Sequence, residues 1–145
     1  MATINPYLVF NGNCEEAFLF YKSVFGGEFP YVGKFNEMPS GEGQPKLSDE
    51  DGNKIMHITL PIGYGTILMG SDSNEASGAA KIGNNISISI NAASKDEADK
   101  LYSGLSADGN PFMPMEQTFW GAYFGMLTDK YEINWMVNFD EEEKK

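Results

Sequence analysis

The chain holds a single histidine, His57, and a single cysteine, Cys14, among its 145 residues. One imidazole excludes a multi-histidine metal site within one chain, and no Ser-His-Asp or Cys-His relay can be read from the spacing. His57 can act as a general base or orient a bound group. The alternative is a hydrogen-bonded wall residue, with Thr59 or a carboxylate such as Glu116 as its partner. Phe119, Trp120 and Tyr123 can stack against a planar ligand, or serve as core or dimer interface. Met69, Met126 and Met136 suit an adaptable apolar pocket, or simply fill a core.

Composition narrows the setting for this chemistry. The length suits one compact unit with a real core. Hydrophobic residues are 41% and aromatics 13%, which marks a folding chain. Formal net charge is -11, so nucleic-acid backbones and anionic membranes would be repelled, whereas a cationic ligand would be attracted. The start, MATINPYLVF, lacks the basic region and apolar run of a signal peptide. No apolar run approaches the roughly 20 residues of a membrane helix. With one cysteine no intrachain disulfide forms, and a reducing cytoplasm is expected. Asn85-Ile86-Ser87 matches a glycosylation sequon, which has no meaning without a secretory route.

The elements that must position these residues follow from periodicity. Ile4 to Phe10 is rich in strand formers. Asn13 as cap, with Glu16 three residues later, predicts a helix start. Ala17, Phe20, Tyr21, Val24 and Phe25 form its apolar stripe, and Gly26-Gly27 stops it. Glu28 to Phe35 reads as a strand. Met38 to Asn53 is polar and Pro/Gly-rich, a long loop that is either mobile or a functional lid. Lys54 to Ile62 and Gly65 to Gly70 read as strands around a turn at Gly63-Tyr64. Ser71 to Gly83 is a linker.

The pattern then repeats. Asn85 to Asn91 alternates Ile with Asn or Ser, as a half-buried strand does. Ser94 and Glu97 form a capping box, Ala98, Leu101, Tyr102 and Leu105 a helical stripe, and Gly109 follows the helix end. Pro111 to Glu116 is a strand. Gly121 to Leu127, a turn at Thr128-Asp129-Lys130 and Tyr131 to Asn138 form a hairpin. Asp140 to Lys145 is a solvated charged tail. Asn13, Glu16, Ala17, Phe20, Tyr21 and Val24 match Ser94, Glu97, Ala98, Leu101, Tyr102 and Leu105 at one fixed offset, so internal duplication is the economical explanation.

The expected fold is α+β: one domain over 1–145, made of tandem βαβββ modules at about 1–72 and 84–139. Each helix covers one face of a four-stranded sheet, and the sheets form a curved eight-stranded trough with helices outside. The modules can pair within one chain or across a dimer. Parity puts Met56, Ile58, Leu60 and Ile62 on a helix face, with His57 and Thr59 opposite. In the last strand it separates Ile133, Trp135 and Val137 from Asn134, Met136 and Asn138.

Particular residues also resemble a known family. They are Asn5-Pro6-Tyr7-Leu8 with Asn11-Gly12-Asn13, Phe20-Tyr21 with Phe25-Gly26-Gly27, Met56-His57, Gln117-Thr118-Phe119-Trp120, Phe124-Gly125, Thr128-Asp129-Lys130 and Asn134-Trp135-Met136. Over nearly its whole length the chain resembles the vicinal-oxygen-chelate superfamily of glyoxalase I, extradiol dioxygenases and bleomycin- and fosfomycin-resistance proteins. Within it the likeness is closest to PhnB-like proteins. Some of these are labelled demethylubiquinone methyltransferases, yet no Gly-rich strand-to-helix loop suited to an adenosyl cofactor appears. Metal-dependent members carry His or Glu on the first and last strand of each half. The matching stretches here are Asn5-Pro6-Tyr7, Leu68-Met69-Gly70, Asn85-Ile86-Ser87 and Ile133-Asn134-Trp135, without His, Glu, Asp or Cys. Amides and thioethers bind first-row divalent metals poorly.

The resemblance, together with these departures from the family's metal ligands, thus implies a small-molecule binding protein, homodimeric, with no metal and no cofactor. Its candidate ligand-binding residues are Tyr7, Met69, Ser87, Glu116, Phe119, Trp120, Asn134 and Met136, and His57 is the candidate catalytic group. The alternatives are a metal-dependent lyase or dioxygenase with ligands from unexpected positions, such as His57 and Glu116, and a metal-free enzyme using His57 as acid or base.

Overall fold

The computed structural model describes residues 2–37, 47–63, 65–75 and 77–141. The chain divides into two compact units, Met1–Lys81 and Ile82–Lys145. The first contains β1 (Tyr7–Phe10), α1 (Cys14–Phe25), β2 (Tyr31–Lys34), a 3-10 turn (Phe35–Glu37), α2 (Asp49–Gly52), β3 (Ile55–Pro61) and β4 (Ile67–Asp72). The second contains β5 (Ile88–Asn91), α3 (Lys95–Ser106), β6 (Asn110–Gln117), β7 (Ala122–Thr128) and β8 (Asn134–Asp140).

Each unit is a four-stranded mixed sheet, ordered β1-β4-β3-β2 and β5-β8-β7-β6. The first strand of each unit runs parallel to the last, and the other pairs are antiparallel. The fold is therefore α+β with the βαβββ unit twice. Helices α1 and α3 each run 12 residues and start 81 positions apart, as do β1 and β5. By contrast β3 and β7 start 67 apart, as do β4 and β8. The extra chain of the first unit thus lies between α1 and β3, where α2 sits. This short helix falls inside the expected 38–53 loop, and Ser48 caps it by accepting from the Asp51 amide at 3.1 Å. The rest of that loop, 38–46, lies outside the described residues, as do Tyr64 of the expected turn and 142–145 of the tail.

In α3 the expected pattern is present in full. Ala98, Leu101, Tyr102 and Leu105 are buried. The Glu97 amide donates to Ser94 Oγ at 3.1 Å, and Glu97 Oε1 accepts from the Ala93 amide at 2.9 Å. Helix α1 departs from expectation in two ways. Its buried stripe is Cys14, Ala17, Phe18 and Tyr21, so Phe20 and Val24 lie at its margin. Asn13 makes no side-chain cap. Instead Asp72, at the end of β4, accepts from the amides of Gly12 and Cys14 through Oδ1, both at 3.0 Å, and from Ile55 through Oδ2 at 2.9 Å. One buried carboxylate thus joins the start of α1, the start of β3 and the end of β4. The ring of Phe18 sits against Gly70 of β4, where an added Cβ would meet it at 2.6 Å.

Two strands also differ from simple alternation. Between His57 and Ile55, β3 advances two residues while β2 advances one, from Gly33 to Lys34. This bulge turns Ile55 into the core and leaves Met56 half-buried, so parity holds only for Ile58 and Leu60. In the second unit β5 starts at Ile88, and Ile86 is 77% exposed instead of meeting α3. The cause is Asn134, whose amide donates to the carbonyls of Gly83 and Ile86 at 3.0 and 3.3 Å and so occupies that backbone. The β7–β8 turn is longer than expected because Asp129 is buried in it. Asp129 accepts from the amides of Tyr131 and Ile133 and from the Trp135 indole at 2.8, 3.1 and 2.8 Å.

Candidate functional site

In each unit the helix covers one sheet face, and the candidate chemistry lies on the other. In the first unit the register Tyr7↔Met69, Met69↔Thr59 and Thr59↔Tyr31 runs straight across all four strands. Cross-strand partners share a face, so these four side chains form one row. His57 joins it two residues from Thr59. Gly70 next to Met69 meets Phe18 of α1, which fixes this row as the helix-free face.

His57 is the centre of the row. Its ring stacks on Tyr7 with centroids 5.6 Å apart and an interplanar angle of 26°. Tyr31 lies 5.8 Å from it at 44°. Tyr7 Oη is 3.3 Å from His57 Nδ1. The hydrogen-bond partner is thus Tyr7, not the expected Thr59 or Glu116. Gly33 makes the approach of Tyr31 possible: a Cβ there would lie 2.5 Å from the Tyr31 hydroxyl. Tyr7 and Tyr31 remain 45% and 48% exposed, so part of each ring stays accessible.

In the second unit the corresponding row is rich in methionine. Ser89↔Met136, Met136↔Met126 and Met126↔Met113 cross the sheet in register. Beside it run Asn91↔Asn138, Asn138↔Phe124 and Phe124↔Glu116, with Asn138 donating to Asn91 at 3.2 Å. Phe119 and Trp120 occupy the turn between β6 and β7, edge to face at 5.1 Å and 98% and 57% exposed. Trp120 also lies 6.2 Å from Phe124.

The structure sorts the candidates. Tyr7, Met69 and His57 meet on one helix-free face. Met136 and Glu116 lie on the other, with Trp120 beside Phe124. Asn134 is consumed by structure, since its Oδ1 accepts from Thr128 at 2.9 Å while its amide holds two carbonyls. Ser87 is half-buried and precedes β5. Tyr123 leaves the stacking surface: its hydroxyl donates to Asp99 of α3 at 2.6 Å, a bond that raises its pKa above the ordinary tyrosine value, and Lys95 lies over its ring. Sequence reasoning missed Tyr31, Gly33 and Phe124. Strand alternation would have put Tyr31 on the face of Gly33, but the register that brings it to His57 is not written locally. Cys14 is no nucleophile; burial first, then Asp72 and Glu15, push its thiol far above the ordinary range. Among the described residues no three His, Cys, Asp or Glu side chains converge as a metal site would require.

A family model described as 3-demethylubiquinone-9 3-methyltransferase matches residues 2–138. The chain belongs to this family, the PhnB-like group. Protein YjdN of Escherichia coli (strain K12) is 31% identical to this PhnB-like chain over 140 residues, 93% of each. The crystal structure of PA1353 from Pseudomonas aeruginosa is 39% identical with a TM-score of 0.82, covering 97% of this chain and 98% of the other. The PhnB protein of Bacillus cereus, described as a putative 3-demethylubiquinone-9 3-methyltransferase, is 26% identical with a TM-score of 0.71 over 95% and 99%. The fold alone is shared with the fosfomycin-resistance protein FosX of Listeria monocytogenes, at 11% identity, a TM-score of 0.64 and coverage of 99% and 97%.

The family's description implies a methyl donor such as an adenosyl cofactor. Anionic cofactor groups favour free amides at a strand-to-helix loop. Before α1 of this PhnB-like chain the Asp72 carboxylate takes the Gly12 and Cys14 amides, and before α3 the Glu97 carboxylate takes the Ala93 amide while Ser94 takes that of Glu97, so each helix start already holds a carboxylate. The residues at both helix starts do not fit that group.

Proposed function

We propose that this PhnB-like protein binds a small organic molecule on its helix-free sheet faces without a metal, in the cytoplasm and as a homodimer. The observation that carries the reading is the row of Tyr7, His57, Met69 and Tyr31, with two accessible rings around one imidazole. The donor chemistry supports the metal-free part: the nearest side chains are phenol, thioether and hydroxyl. Among the described residues no helix is long and apolar enough to cross a membrane, and a single cysteine, free and buried, supports the cytoplasmic setting. The exposed Phe119–Trp120 turn supports self-association, because aromatic side chains are favoured at the core of interfaces.

A thermal-shift screen of planar organic compounds, run with and without nickel, zinc and iron, tests this. A ligand at about 100 times its Kd stabilises by about 2.7 kcal/mol. The expected outcome is stabilisation by an organic compound with no metal requirement. Stoichiometric metal held by side chains would favour the metal-dependent lyase or dioxygenase. Sedimentation as a monomer at tens of micromolar would remove the dimer. The chain's one imidazole, half-buried in β3, also raises a second reading, a metal-free enzyme using His57 for proton transfer; loss of turnover in His57→Ala, once a substrate is found, is its signature.

A further inference from the structure

The Tyr7–His57 contact decides what His57 can offer a ligand. A neutral imidazole has one donor nitrogen and one acceptor nitrogen. Nδ1 faces the Tyr7 hydroxyl at 3.3 Å, and Nε2 has no hydrogen-bond partner among the described residues. The phenol is the stronger donor of the two groups, and the imidazole lone pair the stronger acceptor. The favoured arrangement is therefore Tyr7 O–H donating to Nδ1, which places the ring proton on Nε2. A protonated imidazole donates from both nitrogens. In either form Nε2 presents N–H and never a lone pair.

The ring is held in this pose from both sides of the sheet order. Tyr7 belongs to the edge strand β1 and Tyr31 to the opposite edge strand β2, with β3 and His57 between them. We propose that Tyr7 is a positioning residue that fixes His57 as a hydrogen-bond donor through Nε2. The first unit then selects planar ligands that present an acceptor oxygen, such as an aryl ketone or a quinone-like carbonyl. This deepens the binding reading above and rests on it. It also runs against His57 as a general base, because Nε2 would lack the lone pair a base needs.

His57 is the only histidine, so one set of nitrogen-15 signals reports the tautomer without assignment. Spectra are recorded with the imidazole neutral, first without ligand. The expected wild-type form carries its proton on Nε2, and Tyr7→Phe shifts the population toward a mixture. The probes are acetophenone and ethylbenzene, close in size and both uncharged. Acetophenone should move the Nε2 signal with an apparent Kd about threefold lower or better, as a neutral hydrogen bond provides. A wild-type proton on Nδ1, or a Tyr7→Phe tautomer unchanged from wild type, overturns the positioning role. Acetophenone binding no tighter than ethylbenzene overturns the ligand class. Failure of the function itself is read separately: no organic compound raises the melting temperature, although the Nε2–H tautomer is present in the free protein.

Discussion

The two modules share one topology but are pinned differently. In the first, α1 takes its N-terminal acceptor from Asp72 on a distant strand. In the second, α3 takes it from Ser94 and Glu97 next door. At the 67-residue offset of the last two strands, Asp72 corresponds to Phe139, and the second module's buried carboxylate, Asp129, sits in the β7–β8 turn instead. At the same offset His57 corresponds to Phe124 and Met69 to Met136. The comparison separates what the fold needs from what the site needs. Helix stripe and strand order recur, whereas the polar pins and the imidazole belong to one module each.

The largest test of this comparison is Asp72→Ala. It strands the Gly12, Cys14 and Ile55 amides, two of them on buried residues, and at about 1–3 kcal/mol for each unmet buried donor the loss should reach on the order of 3 kcal/mol or more. Chemical denaturation measures it, and a loss below about 1 kcal/mol would show that α1 does not depend on the remote pin. Next come the glycines under each helix. Gly70→Ala would press on the Phe18 ring at 2.6 Å and the Leu8 carbonyl at 2.8 Å, a cost of about 1–3 kcal/mol. Gly125→Ala meets the Met115 sulfur at 2.7 Å and the Tyr102 ring at 2.9 Å, so a flexible thioether can yield part of the space and the cost should be smaller.

Cys14 gives the modules different alkaline behaviour. Its thiol is raised by burial, so the folded chain keeps the proton that an unfolded thiol releases. Stability is fully present below about pH 8.5 and falls above it, by up to about 1.4 kcal/mol per pH unit. The counterpart at the 81-residue offset is Lys95, exposed and paired with Glu141 at 3.0 Å. Denaturation midpoints from pH 8 to 10 should fall less steeply in Cys14→Ala; parallel slopes would argue against the buried thiol as the cause. The smallest effect separates the caps. Ser94→Ala should cost about 1 kcal/mol, while Asn13→Ala, which removes no cap bond, should stay within about 0.5 kcal/mol. Equal losses would erase the distinction between near and remote capping.

Local features were legible in the sequence. The α3 stripe and capping box lie within 13 residues, and each of their signals is a neighbour of the next. The alternation of Trp135 and Val137 against Asn134, Met136 and Asn138 was also readable, because β8 pairs without a bulge and has one covered face. What escaped depends on distant partners. Asn13 looks like a cap, yet the cap is Asp72. Ile86 continues an alternating run, yet Asn134 takes its backbone. Met56 obeys parity until a bulge opposite Gly33 shifts it. In the candidate site, His57 and Tyr7 could be named from the chain, but not their contact, since nothing near either residue encodes the β1-β4-β3-β2 order. The same holds for Tyr31.

Asp72 follows Cys14 by 58 positions. During synthesis α1 therefore emerges from the ribosome well before its acceptor does, and its first turn gains that pin only when the final strand of the module arrives. Helix α3 carries its acceptors beside its own first turn and can form as it emerges. One carboxylate thus sets the order in which the two halves become finished structures.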